Sequence, residues 1–226
     1  MIPWLWAAFL GLAAWGLWWG LFRAPPDYLQ GESVRIMYVH VPSAWMSMLI
    51  YALMALFSIG ALVWHVRAAE VLAMASAPIG AAFTLLALVT GSLWGRPTWG
   101  TYWIWDARLT SELVLLFLYL GVMGLYNAFD EPRKGARAAA LLSIVGLVNL
   151  PIIHYSVVWW NTLHQPGSVG VTGSSIHPDM LWPLLIMALA TKFYYGANLL
   201  TRTRVRLLEE NRNRRWVRNW ILGESA

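Results

Sequence analysis

The chain has 226 residues, 59% apolar and only 12% charged, against about 25% charged in an average soluble domain, with a formal net charge of +5. It contains no cysteine, which excludes disulfides, thiolate metal sites and covalent CxxCH haem attachment. It has no internal repeat and no Walker A loop, so any ATP chemistry belongs to another subunit.

The apolar residues fall into six blocks of about the length that crosses a bilayer as a helix. The first is Ile2–Phe22. It lacks the basic start and the Ala-x-Ala site of a signal peptide, so it is expected to be retained. The others span about 43–66, 71–93, 113–129, 138–160 and 180–200, with Pro78 near the start of the third. In lipid every backbone amide must be satisfied within its own segment, so each block predicts a helix. The expected fold is all-α: a polytopic membrane protein of six transmembrane helices over residues 1–200, followed by a basic tail over 201–226.

Orientation follows the basic residues. With both termini cytoplasmic, the inside holds Arg67, Arg133, Lys134, Arg137 and seven tail arginines, eleven in all. The outside holds four: Arg23, Arg35, Arg96 and Arg108. This is a positive-inside bias, and it accounts for the basic balance without nucleic acid. The tail sets its arginines among Leu208, Trp216 and Trp220 at steps of four or multiples of four, the pattern of a helix lying on anionic lipid or docking a cytoplasmic partner.

The inward loops are short, while three longer segments, about 23–42, 94–112 and 161–179, are expected on the outward, periplasmic face. His40, His164 and His177 lie in or beside them; His65 is near the inward side and His154 is inside the fifth block. A single loop histidine is ordinarily a solvated polar residue, but two on separate loops beside an aromatic third loop suit a metal ligand pair. His40, His164, His177 and Asp106 could supply a four-ligand zinc site on paper, although closely spaced zinc ligands are absent. A flat apolar macrocycle with a central metal fits better. Haem needs one or two axial ligands, apolar faces and cations for its propionates, and the loops carry histidines, tryptophans and four arginines.

The middle segment, "WGRPTWGTYWIWDARLTSE", carries Trp94, Trp99, Trp103 and Trp105. Interfacial anchoring explains Trp4, Trp6, Trp15, Trp18, Trp19, Trp45, Trp159, Trp160 and Trp182. It explains less well four rings from one loop. Gly95, Pro97 and Gly100 are expected to interrupt the start, and a short helix from about Thr101 would align Tyr102, Trp105 and Leu109. Asp106 is expected to pair with an arginine or cap a backbone, and Thr110 is a candidate cap of the next helix.

The run "WGRPTWGTYWIWDARLTSELVLLFLYLG" resembles the tryptophan-rich "WWD" signature of the haem-handling protein family, through Trp94, Gly95, Trp99, Gly100, Trp103, Trp105, Asp106, Arg108, Leu109 and Thr110. With six helices and one such loop, the chain resembles that family's smallest branch, the haem exporter protein C family of bacterial cytochrome c maturation. "MYVHVPSAWMS" and "HYSVVWWNTLHQPGSV" are similar to its other two outward loops. The resemblance implies His40 and His164 as axial haem ligands, leaving His177 outside the matching stretch. It implies that Trp94, Trp99, Trp103, Trp105 and Asp106 form a haem platform that also contacts a chaperone. The candidates for propionate contact are Arg108, Arg96, Arg35 and Arg23.

The resemblance also implies a multi-pass protein of the bacterial inner membrane that binds haem b transiently and noncovalently. It would present the haem to a periplasmic chaperone, cytochrome c maturation protein E, for c-type cytochrome biogenesis. The implied partners are the ABC transporter subunits, cytochrome c maturation proteins A and B, and a small single-helix subunit, cytochrome c maturation protein D. Catalysis would go no further than assisting covalent haem attachment to the chaperone. The alternatives are a transporter moving haem through its own helices, marked by Asn149, Pro151, His154 and Lys192, and a structural assembly subunit.

Overall fold

The computed structural model describes residues 1–170, 173–215 and 217. It consists of α1 (Ile2–Phe22), α2 (Met37–Val63), α3 (Arg67–Trp99), α4 (Ala107–Asn127), α5 (Pro132–Val145), α6 (Asn149–Trp159) and α7 (Pro178–Glu210). One-turn 3-10 segments precede α2, at Glu32–Ile36, and join α5 to α6, at Gly146–Val148. A two-residue hairpin pairs β1 (Val169–Gly170) with β2 (Gly173–Ser174). Counting α5 and α6 together as Pro132–Trp159, six helices are long and apolar enough to cross a membrane. The chain is therefore a multi-pass membrane protein.

The core forms where α2, α3 and α4 meet. Met46, Ile50 and Met54 recur every four residues on α2 and are fully buried against Ala73, Ala77 and Phe83 of α3 and Leu115, Tyr119 and Val122 of α4. Small residues on α3 let the backbones approach, which is how helices associate where lipid is as apolar as the protein. Polar groups buried here are paired across helices. Ser143 of α5 donates to Ser58 of α2 at 2.7 Å, and Ser76 of α3 meets Tyr195 of α7 at 2.9 Å. Ser47 of α2 donates to the buried carboxylate of Glu112 at 2.7 Å, and Tyr119 donates to the Ser47 carbonyl at the same distance. α1 packs mainly on α7 and exposes Trp4, Trp15 and Trp18. Its apolar residues surround the helix on every side, as suits a helix with one face on protein and the rest in lipid.

Several boundaries differ from the sequence expectation. α2 begins at Met37, six residues before the second apolar block, so His40 stands on a helix rather than in a loop. α3 runs through Pro97 to Trp99, so Trp94 and Trp99 are helical. Proline removes one backbone donor and crowds one carbonyl. At the last turn this matters little, and the Thr98 hydroxyl supplies a further bond to the Trp94 carbonyl at 2.7 Å. The helix stops at Gly100, whose φ of 79° is a left-handed cap that suits glycine. Residues 101–106 are not helical, so Tyr102, Trp105 and Leu109 share no helix face. The cap of α4 is Asp106, not Thr110: its Oδ1 accepts from the Leu109 amide at 2.8 Å. The fifth span breaks at Gly146–Val148 because Pro151 lacks the N–H that would have bonded to the Leu147 carbonyl. α7 continues past residue 200 into the tail as far as Glu210; the Trp216 and Trp220 of the expected tail pattern lie outside the described residues.

Candidate functional site

His40 occupies the second turn of α2 and points across to α3. Its Nδ1 lies 3.0 Å from the Ala87 carbonyl oxygen and 3.1 Å from the Thr90 hydroxyl. A carbonyl only accepts, so Nδ1 carries a proton, and in the neutral ring the lone pair is then on Nε2. Thr90 gives its own proton to the Leu86 carbonyl at 2.6 Å, leaving its oxygen free to accept from His40. The imidazole fits because residue 91 is glycine: a Cβ there would stand 2.9 Å from His40 Cε1.

His164 lies in the irregular segment between α6 and α7. Its Nδ1 donates to the Gln165 carbonyl at 2.8 Å, again leaving Nε2 with the lone pair. Burial, and then the nearby Arg108 guanidinium, push its pKa below the ordinary value, which favours the neutral ring. Both histidines thus present the form a metal requires, each with its other ring nitrogen oriented by a backbone carbonyl.

The tertiary structure brings these two rings together from segments 124 residues apart. Their centres are 6.4 Å apart with planes tilted by 38°. With a metal–nitrogen bond of about 2 Å and about 1 Å from nitrogen to ring centre on each side, two imidazoles bound across one metal sit about 6 Å apart. The donor set, its protonation and its spacing therefore fit axial ligation of a haem iron. Trp94 meets the His40 ring edge-on at 5.7 Å, and Trp99 lies 6.1 Å from the His164 ring.

The four tryptophans divide. Trp94 and Trp99 join the histidines. Trp103 and Trp105 pair with each other edge-to-face at 5.4 Å, and Trp105 is 77% exposed. Trp103 lines an apolar groove of about 330 Å³ between α3 and α4, with Leu85, Leu88 and Leu116. Residues 85, 88, 89 and 92 face that groove, whereas 87, 90, 91 and 94 face His40, so the helix itself separates the two.

Asp106 binds in two directions. Beyond capping α4, its Oδ2 accepts a hydrogen bond from the Thr162 hydroxyl. Arg108 donates to the Ile153 carbonyl at 2.8 Å and is the arginine whose charge bears on His164. Arg35 is engaged with Glu32 and with the Gly20 and Ala24 carbonyls at 2.7 and 3.0 Å, tying down the end of α1. Arg96 binds the Gly100 carbonyl and lies over the Tyr102 ring, while Arg23 lies over Trp18.

His177 stands apart from the pair, its ring nitrogen accepting from the Asp179 amide at 3.3 Å as the cap of α7. Among the described residues no group of three or more His, Asp or Glu could hold a metal ion, so the four-ligand zinc set is not assembled. Gln30 was not singled out from sequence. It accepts from Trp94 Nε1 at 2.7 Å and donates to the Gln165 side chain at 3.3 Å, joining the segments 23–42, 94–112 and 161–179. Neither it nor Thr162 carries a sequence signal; Gly91, a glycine inside a long helix, does.

The chain is similar to known proteins along most of its length. The family model described as Heme exporter protein C matches residues 1–218. The chain is 54% identical over 217 residues to a heme exporter protein C of Bradyrhizobium diazoefficiens, covering 92% of this chain and 82% of the relative. It is 52% identical over 221 residues to the heme exporter protein C of Escherichia coli strain K12, covering 98% and 89%. A ccmC-like mitochondrial protein of Marchantia polymorpha, named for cytochrome c biosynthesis, is 46% identical over 193 residues, covering 85% and 82%.

Proposed function

Because the chain belongs to the haem exporter protein C family, we propose that it holds haem at the outward membrane surface and presents it for c-type cytochrome biogenesis. The observation that carries this reading is the histidine pair: two imidazoles with centres 6.4 Å apart, each with Nδ1 spent on a backbone carbonyl.

His40 and His164 bind the iron of the cargo from two sides. Trp94 and Trp99, already against those rings, exclude water from the porphyrin. Trp105, exposed beyond them, is free to meet the periplasmic chaperone, cytochrome c maturation protein E. Arg108 is the propionate candidate with the strongest support, since it alone of the four acts on a site histidine. The haem is haem b, held without a covalent bond, so it can be passed on. Both termini face the cytoplasm of a bacterial inner membrane. Cytochrome c maturation proteins A, B and D complete the assembly and supply the ATP chemistry for which this chain has no motif.

Movement of haem through the chain's own helices has less support. Asn149 donates to the Ser111 carbonyl at 2.9 Å and Lys192 to the Ala188 carbonyl at 3.2 Å, both ordinary intramembrane partners. His154 is exposed and packs on Tyr155. The test is an optical spectrum of the purified chain loaded with haem. Wild type is expected to give a six-coordinate low-spin spectrum that is lost in His40→Ala and in His164→Ala. Unchanged spectra in both variants would refute the axial assignment. A chain that takes up no haem yet is still required for complex assembly would make it a structural subunit.

A further inference from the structure

His164 is not held by a helix, yet it is not loose. Its amide donates to the Thr162 hydroxyl oxygen at 3.1 Å, and that hydroxyl donates to Asp106 Oδ2. The other Asp106 oxygen is fixed by the Leu109 amide at the start of α4. The carboxylate therefore sits at a helix N-terminus, where its charge is favoured and its position is set. A hydrogen bond to an ionised acceptor is about twice as strong as a neutral one, and the β-branched Thr162 side chain has little χ1 freedom. On the other side of His164 the Gln165 side chain reaches Gln30 at 3.3 Å, a neutral and exposed link.

We infer that Thr162, anchored on Asp106, is a positioning residue that sets the pose of His164 toward the cargo iron, with Gln30 a weaker second anchor. The aspartate of the aromatic segment then acts on haem through Thr162 and His164 rather than by direct contact. This rests on the reading of His164 as an axial ligand.

The test uses the full-length chain in detergent or nanodiscs, loaded with hemin. Two quantities are read: the low-spin fraction in the optical spectrum, and the rate of haem loss to excess apomyoglobin. Thr162→Val is expected to speed haem loss about tenfold and reduce the low-spin fraction, consistent with loss of a hydrogen bond to a charged group. Thr162→Ser keeps the hydroxyl and should stay within about twofold of wild type. Asp106→Ser retains a good helix cap but is too short to reach Thr162, so it should reproduce the valine effect with unchanged helix content. Where Thr162→Val does not fold, Asp106→Ser makes the same test. In a His164→Ala background, Thr162→Val should add less than about twofold, because its effect passes through the histidine. Wild-type behaviour of both Thr162→Val and Asp106→Ser overturns the inference. So does an equal effect of Thr162→Val with and without His164. If His164→Ala itself changes neither quantity, the axial reading fails and the inference with it.

Discussion

His40 and His164 present the same chemical form from unlike seats. His40 stands on α2, closed in by the Ala87 carbonyl, the Thr90 hydroxyl and the bare face of Gly91 on α3. Its position is a product of helix packing, and helix packing resists small displacements. His164 stands on an irregular segment and is placed by single hydrogen bonds through Thr162 and Gln165. Such bonds contribute roughly 0.5–1.5 kcal/mol each in net terms, or somewhat more to a charged partner. One ligand is set by helix packing together with two hydrogen bonds, the other by hydrogen bonds alone. Steric faults should act steeply at the first, and polar ones gradually at the second.

The largest effect is expected from His40→Ala, which should speed haem loss by roughly 100-fold, more than His164→Ala. Stopped-flow transfer to apomyoglobin measures both, and equal losses would mean the unlike seats have no consequence. Gly91→Ala comes next. The new methyl would lie 2.9 Å from His40 Cε1, so the ring must move. Overpacking of this kind costs about 1–3 kcal/mol, and haem affinity should fall about tenfold. Gly11→Ala is the control, since nothing lies within 4 Å of a Cβ there, and it should leave affinity unchanged.

A smaller effect concerns pH. The His164 pKa is lowered in the folded protein by burial and then by Arg108. As pH falls, the unfolded chain therefore takes up the proton first. The stability tied to the neutral ring is fully present above about pH 6.5 and is lost as pH falls toward the folded value. Arg108→Gln removes the lesser of the two causes. It should move the acid loss of the low-spin spectrum to higher pH, as read by optical titration. A shift to lower pH would contradict the assignment. The smallest effect is expected at Lys192→Met, with haem loss within about twofold of wild type, because its ammonium is spent on the Ala188 carbonyl. A marked loss of haem delivery there would reopen passage through the helices.

The spans were legible in the sequence because crossing lipid is a local requirement on composition. α1 runs over the residues its apolar block occupies. The weak points were helix ends. Met37–Val41 and Trp94–Trp99 belong to helices, although the first stretch was expected in a loop and Pro97 was expected to interrupt the second. Asp106 was read as a possible cap, and it is one. The division of the tryptophans was hidden, since residues 101–106 are irregular and no periodicity describes them. Gln30 and Thr162 were hidden for another reason: a polar loop residue looks the same in sequence whether it binds water or a neighbour.

By itself the sequence determined that the chain has six segments long and apolar enough to cross a membrane, carries its aromatic and histidine-bearing segments between them, and shares the tryptophan-rich signature. Those properties rest on composition and short motifs, which local physics can read. Only the tertiary structure decided that His40 meets His164 at 6.4 Å, that Trp94 and Trp99 join them while Trp103 turns to the far side of α3, and that Asp106 reaches Thr162. Each of these contacts links residues remote in the chain or on opposite faces of one helix. The packing of α2 against α3, and of the loop after α6 over both, had to be complete before any of them existed.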